Sequence, residues 1–377
     1  MFHYRQNQLC AGEVELAGLV PRFGSPLYVY HAEDIRRRCR ELQTVFAGLQ
    51  ARLHYSVKAN GNLSLLQLLH RQGTGFDIVS GGELARLQAA GIPTGDVGFA
   101  GVGKTEAEIE QALRAGIAFF NVESAAELAR IAQTAARLQT PAPVLLRLNP
   151  DVDPHTHQYI TTGQAGSKFG LDFETARALC DSFARHPWLT IAGVHLHLGS
   201  QIRQIAPYIA AAQKALTFIA ERRVAGQTVT WLNLGGGFGV PCPGAEKALS
   251  PVALAAALRP LLNGRRLKLV FEPGRWLVAR AGALLMTVQY VKQSGGKTFV
   301  ITDAGMQTFI RPPLYGGQHK IWPIDRPDGD AAHPLIRCDV VGPICESTDF
   351  LARDRLLPPV QAGDVLSVLR TVATDFE

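Results

Sequence analysis

GFDIVSGGELARLQAAGIPTGDVGFAG (75–101) holds two short apolar runs around one helical pattern. GFDIVS (75–80) and DVGFAG (96–101) are rich in strand formers. GELARLQAAG between them spaces apolar residues at helical intervals, with Glu83 in the first turn where the helix dipole favours an acid. The same strand, turn and helix recur along the chain. Further strand-like runs are LHYSVKA (53–59), IAFFNVES (117–124), PVLLRLN (143–149), IAGVHLHLGS (191–200), WLNLGGGFG (231–239) and LKLVFEPGR (267–275), and TEAEIEQALRAG and SAAELARIAQTAARLQ are typical of the helices between. Eight runs alternating with helices predict a (β/α)8 barrel, which takes about 250 residues. A doubly wound open sheet is the alternative, and the lack of a Gly-x-Gly-x-x-Gly opening counts against it.

After residue 275 the pattern changes. LLMTVQYVK, KTFVITDAG, IRCDVVGPIC and GDVLSVLRTV are strand-like, with Gly, Pro and Asp turns and little helix between them. We therefore expect an α/β chain with a barrel over 30–275 and a β domain built from 1–29 and 276–377. The 377 residues are 47% hydrophobic and 19% charged, which excludes a disordered chain. No apolar run nears the ~20 residues that span a bilayer, and MFHYRQNQLCAGEVEL lacks the apolar core of a secretory signal. Six scattered cysteines without a CxxC pair argue against zinc and disulfides, so a cytoplasmic protein with no metal is expected. The net charge of +6 is no nucleic-acid footprint. Its dense cluster, Arg36, Arg37, Arg38 and Arg40, reads as a solvated helix face beside Glu33, Asp34 and Glu41. A small anionic substrate or a phosphate-bearing cofactor would use a few of the remaining charges.

Active sites of such barrels lie at the C-terminal strand ends. Those ends carry Lys58, Asp77, Arg147, His195, His197, Ser200, Gly235–Gly236–Gly237, Glu272 and Arg275. Singly, each has a bland reading as a surface residue, a core pair or a turn; together they describe a site. At the end of an apolar strand Lys58 would be expected to be desolvated, freeing its amine to form a Schiff base. The three glycines let backbone N–H groups close on a phosphate, with Ser200 as a further donor. Glu272 beside a pyridine nitrogen would keep it protonated and make the ring an electron sink, and His197 could lie on the ring face. The set fits pyridoxal 5′-phosphate (PLP).

At these residues the chain resembles the fold-type III PLP-dependent decarboxylases, the group of the ornithine, diaminopimelate and arginine decarboxylases, with the alanine-racemase-like architecture of a barrel plus a β domain. The motifs are most similar to those of diaminopimelate decarboxylases. They run from SPLYVY (25–30), YSVKAN (55–60), FDIVSGGEL (76–84), FAGVGKT (99–105) and FNVES (120–124) through RLNPDVDPHTHQYITTG (147–163), SKFG (167–170) and GVHLHLGSQI (193–202) to LNLGGGFG (232–239), EPGR (272–275), RPPLY (311–315) and CESTDFLARDR (345–355). The resemblance implies decarboxylation of meso-2,6-diaminopimelate to L-lysine and CO2 by a homodimer with shared active sites. It implies that Lys58 holds PLP and that Asp77, Glu83, Arg147, His197, Ser200, Gly235, Gly236, Gly237 and Glu272 bind the cofactor. Arg275, Arg311 and Tyr315 would grip substrate carboxylates. Cys345 would protonate the carbanion in the neighbouring subunit's site, and Glu346 would bind the distal ammonium there.

One departure stands out. After GDVLSVL the family continues with a Gly-Ala-Tyr-Gly type segment and further strands, whereas this sequence reads RTVATDFE. The expectation is a β domain incomplete at its C-terminal side, an open sheet edge, and turnover slower than in longer relatives. The alternatives are a related decarboxylase for another amino acid or a polyamine or siderophore precursor, and a PLP-binding homologue without activity. Arg311 with the CESTD motif favours a substrate carrying a second carboxylate. A racemase is disfavoured, because Glu272 promotes the electron withdrawal that racemases limit.

Overall fold

The structure is a computed structural model that describes residues 1–153, 162–163, 166–241, 248–325 and 334–371. It divides into two units, one of Met1–Ile35 with the residues from Val278 onward, the other of Arg36–Val240 with the stretch that ends at Leu277.

The larger unit is a closed barrel of eight parallel strands in sequential order. They are Arg52–Ser56, Gly75–Ile78, Val97–Phe99, Phe119–Val122, Ala142–Arg147, Leu189–His195, Trp231–Asn233 and Lys268–Phe271. The eighth closes on the first through Val270 and Phe271 against Arg52 and Leu53. Strands form where apolar side chains fill the barrel and its helix-facing side, and Tyr55, Phe76, Phe99, Phe120 and Phe271 are all fully buried. Every strand stops earlier than its apolar run does. Lys58 falls in a 3-10 turn, Val57–Ala59, just past the first strand, and His197, Ser200, the glycine triplet and Glu272 likewise lie beyond strand ends. These residues thus sit on loops over a rigid rim, while Asp77, Arg147 and His195 stay on the strands themselves.

Helices are launched the same way at successive strand ends. Ser80, Thr105 and Ser124 each accept the backbone N–H of a glutamate three residues on, at 3.2–3.3 Å. Glu83, Glu108 and Glu127 reach back in turn to the N–H groups of Val79, Thr105 and Glu123. This reciprocal capping satisfies donors that a helix start leaves open.

The basic cluster on the helix Ala32–Ala47 is not uniformly solvated. Arg37 and Arg40 are exposed, but Arg38 is buried, with its guanidinium 4.8 Å above the Trp276 ring and donating to the Trp276 carbonyl at 3.0 Å. A sequence reading cannot separate these arginines, because the partner is 238 positions away.

The smaller unit is a mixed sheet organised on one long strand, Gly282–Ser294. Its first half pairs antiparallel with Leu27–Tyr30 on one side and Val365–Leu369 on the other. Its second half pairs with Lys297–Thr302, which continues in parallel to Ile336–Val341 and then antiparallel to Phe350–Leu357. Val365–Leu369 is flanked on its other side by Ile321–Pro323. Residues 372–377 of the divergent RTVATDFE end lie outside the described residues. A small antiparallel sheet, Phe2–Arg5, Gln8–Ala11 and Val14–Glu15, completes this unit.

Replacing Arg38 with Met strands a buried carbonyl and removes a cation–π contact. It should lower the unfolding free energy by about 2 kcal/mol, whereas Arg40→Met should stay within about 0.5 kcal/mol. Urea titration of the two variants separates these outcomes, and equal effects would restore the solvated-face reading.

Candidate active site

Glu272 follows the eighth strand directly and is 3% exposed. Its Oε1 accepts from the Asn233 amide at 2.5 Å and the Asn121 amide at 3.4 Å, and its Oε2 pairs with His195 Nε2 at 3.2 Å. Burial pushes this carboxyl up, but the interactions with His195, His197 and Asn233 outweigh it and hold it down at about 2. Burial and the charges of Lys58 and Arg147 push His197 well below the ordinary histidine range. With His197 neutral, the groups that bond Glu272 directly are His195 and the Asn233 amide. The Gly236 N–H donates to His197 Nδ1 at 3.4 Å, which leaves the proton of the neutral ring on Nε2.

Asp77, on the second strand, is its counterpart. Ser56 donates to its Oδ2 at 3.1 Å, and its buried Oδ1 has no partner among the described residues. Burial and the Glu272 charge drive its pKa well up, with Lys58 opposing. Two carboxyl groups share one mouth, one held ionised and the other driven towards its protonated form. Lys58 is half-buried and acts electrostatically on both Asp77 and His197.

The glycine triplet is dictated by backbone packing. A Cβ on Gly235, Gly236 or Gly237 would meet the carbonyl oxygens of Leu196, Glu272 and Gly199 at 2.3, 2.0 and 2.0 Å, and Gly235 and Gly237 have φ of +67° and +83°. The loop is tied to the one carrying Ser200 by Ile202 N–H to Gly237 O and Gly239 N–H to Ile202 O, both 2.9 Å. The Gly235 N–H is spent on Asn233 and that of Gly236 on His197. No acceptor is found for the Gly237 N–H among the described residues, so it and Ser200 are among the donors this loop pair can offer an anion.

Arg147 ends the fifth strand in a buried ion pair with Glu123 at 2.6 Å, its guanidinium 4.8 Å from the Phe169 ring. Glu83 is bound first into its helix cap through the Val79 N–H. Arg275 opens the short helix Arg275–Val278. Arg311 and Tyr315 share one helical turn in the other unit, with the guanidinium 5.7 Å from the ring. Cys345 and Glu346 stand exposed there on a loop pinned by Asp349, whose two oxygens accept the Met306 and Ile344 N–H groups at 2.6 and 2.7 Å. Of RLNPDVDPHTHQYITTG, residues 154–161 lie outside the described residues.

His195, His197 and Glu272 could supply three ligand atoms within 4.8 Å of one another. One of those contacts is already the hydrogen bond between His195 and Glu272, and His197 Nδ1 also accepts from the Gly236 N–H. The residues fit PLP. A buried, ionised acid suits a protonated ring nitrogen, the orphaned Asp77 oxygen adds polar capacity, Lys58 supplies an amine, and the glycine loop supplies an anion donor.

Comparison with known proteins agrees. Residues 32–279 match the family described as pyridoxal-dependent decarboxylase, pyridoxal binding domain. The chain belongs to this family, whose cofactor is PLP. A diaminopimelate decarboxylase of Aquifex aeolicus is 41% identical over 373 residues, covering 99% of this chain and 87% of that protein. One from Pseudomonas aeruginosa is 43% identical over 375 residues, covering 100% and 89%. Among solved structures, diaminopimelate decarboxylase from Helicobacter pylori complexed with L-lysine superposes with a TM-score of 0.89 at 37% identity, covering 95% of this chain and 88% of that one. The M. jannaschii enzyme, also with L-lysine, gives 0.91 at 33% over 99% and 88%.

Sequence reasoning gives no role to Ser56, Asn121, Glu123 or Asn233, and names His195 among the strand-end residues without a task. The available signal was an asparagine inside an apolar run, in FNV and LNL, because such an amide needs a buried partner.

A carboxyl with a raised folded pKa keeps its proton where the unfolded chain has lost it. The stability it brings is full below the unfolded value, near 4, and is lost as pH rises. Cofactor-free Asp77→Asn should therefore be at least as stable as the unmodified protein at pH 7, with its advantage growing from pH 5 to 8. Urea denaturation across that range reads the effect, and a loss that deepens with pH would contradict it.

Proposed function

We propose that this chain is a PLP-dependent decarboxylase that converts meso-2,6-diaminopimelate to L-lysine and CO2. The observation that carries the chemistry is the buried Glu272, held ionised by His195 and Asn233 in the mouth that also holds Lys58. The identity to diaminopimelate decarboxylases over nearly the whole chain supports the substrate.

Bound PLP supplies a conjugated ring that takes up the electron pair left when CO2 departs. In this reading Lys58 would hold the cofactor through its amine, Glu272 would face the ring nitrogen and favour its protonated form, and His197 would lie beside the ring. Gly235–Gly237 and Ser200 would form the phosphate cradle, and Asp77, Glu83 and Arg147 would support the cofactor. Arg275, Arg311 and Tyr315 orient the substrate by its carboxylates, so that the scissile bond is presented for cleavage rather than sampled at random. Cys345 delivers a proton to the α-carbon, and Glu346 binds the distal ammonium. The exposed CESTD loop fits a homodimer in which these two residues serve the neighbouring subunit. Free Cys10, Cys39, Cys180, Cys338 and Cys345 suit a reducing, cytoplasmic setting.

The test is lysine release from meso-diaminopimelate by the purified chain with added PLP, with ornithine and arginine run alongside. Lysine from diaminopimelate only is expected. Lys58→Ala should abolish both product and the visible absorbance of covalently held cofactor. Product from ornithine or arginine alone would move the substrate assignment, and cofactor absorbance without any product would favour a non-catalytic homologue.

A further inference from the structure

FAGVGKT (99–105) carries a lysine that the proposed chemistry leaves unused. The side chain of Lys104 is fully buried, and its ammonium spends all three protons inside the protein. It donates to the Gly101 carbonyl at 2.8 Å, the Asn121 carbonyl at 2.9 Å and Glu127 Oε1 at 2.7 Å. Both protein partners beyond Gly101 lead towards the mouth. Asn121, on the fourth strand, directs its amide at Glu272. Glu127 uses its other oxygen to take the Glu123 N–H at 2.9 Å. The Glu123 carboxylate in turn binds Arg147 at 2.6 Å and the Gly170 N–H at 3.1 Å.

Resting on the decarboxylase reading above, we propose that Lys104 is a positioning residue for the reaction. By gripping the end of the fourth strand at the Asn121 carbonyl and through Glu127, it sets the Asn121 amide on Glu272 and the Glu123 carboxylate on Arg147. The ammonium is the reason the grip works. Burial pushes the Glu127 carboxyl up and Lys104 opposes that rise, while two buried carbonyls take the remaining protons. A side chain of similar length without charge would fill the space and leave two carbonyls and a carboxylate unmet. The fourth strand end could then relax, and Asn121 and Glu123 would lose their aim.

A plain structural staple would affect stability alone. Three holoenzyme variants, Lys104→Met, Lys104→Met/Glu127→Gln and Asn121→Ala, are compared with the unmodified protein by melting temperature, the visible band of bound PLP, PLP affinity, kcat and KM. The double variant removes the stranded carboxylate and should regain melting temperature. Its kcat should nonetheless stay down about 10²-fold with KM little changed, together with a shifted band or weakened PLP affinity. Asn121→Ala, which leaves the Lys104 grip largely in place, should shift the band the same way and decides the matter if the lysine variants do not fold. Recovery of melting temperature, band and kcat together in the double variant would overturn the proposal, as would an unchanged band and kcat in Asn121→Ala. If the unmodified protein releases no lysine, the decarboxylase reading fails on its own, and band and affinity still decide the role of Lys104 because neither requires turnover.

Discussion

The site depends on keeping one carboxylate ionised where burial opposes it. Glu272 achieves this because three strands besides its own end beside it. His195 closes the sixth strand, Asn233 the seventh and Asn121 lies on the fourth, and their donors converge on its two oxygens. His195 is in register with Asn233 across the sixth and seventh strands, and Asn233 with Val270 across the seventh and eighth. A closed barrel is what brings these positions together; an open sheet would leave the fourth strand far from the eighth. The fold therefore precedes the chemistry in a causal sense, since without closure the acid would be neutral or solvated.

The same constraint explains the glycine triplet. A loop that must run against the carbonyls of Leu196, Gly199 and Glu272 has no room for a side chain. Its backbone is thereby locked to the Ser200 loop on one side and to the acid on the other. Tyr208 adds a hydrogen bond to the Gly236 carbonyl at 2.7 Å. The Gly237 N–H, proposed above as a phosphate donor, is thus fixed before any anion arrives, which is the preorganisation that makes backbone donors effective.

Much of this was legible in the sequence, for stated physical reasons. The eight strands were readable because barrel strands buried on both sides are continuous apolar runs. Their ends were not, since VKA and LHL look as strand-like as what precedes them, and hydrogen bonding rather than hydrophobicity terminates the strand. Lys58 and Glu272 stood out as charges in apolar surroundings. Asn121, Asn233 and Lys104 did not, because their partners are fixed only by closure. Arg38 was misread for the same reason, being one arginine of a run in which only it meets Trp276. The order of the strands in the mixed sheet is likewise not written in any single strand.

The most direct test of the central claim is the turnover of Glu272→Gln on meso-diaminopimelate, measured with PLP binding followed in the same samples by its visible absorbance. Glutamine keeps the size of the side chain and can still meet Asn233, but cannot carry the charge. The account predicts that the cofactor still binds and that kcat falls by about 10²-fold or more. A variant that binds PLP and turns over at nearly the unmodified rate would contradict it, because the ionised acid would then not be what drives the reaction.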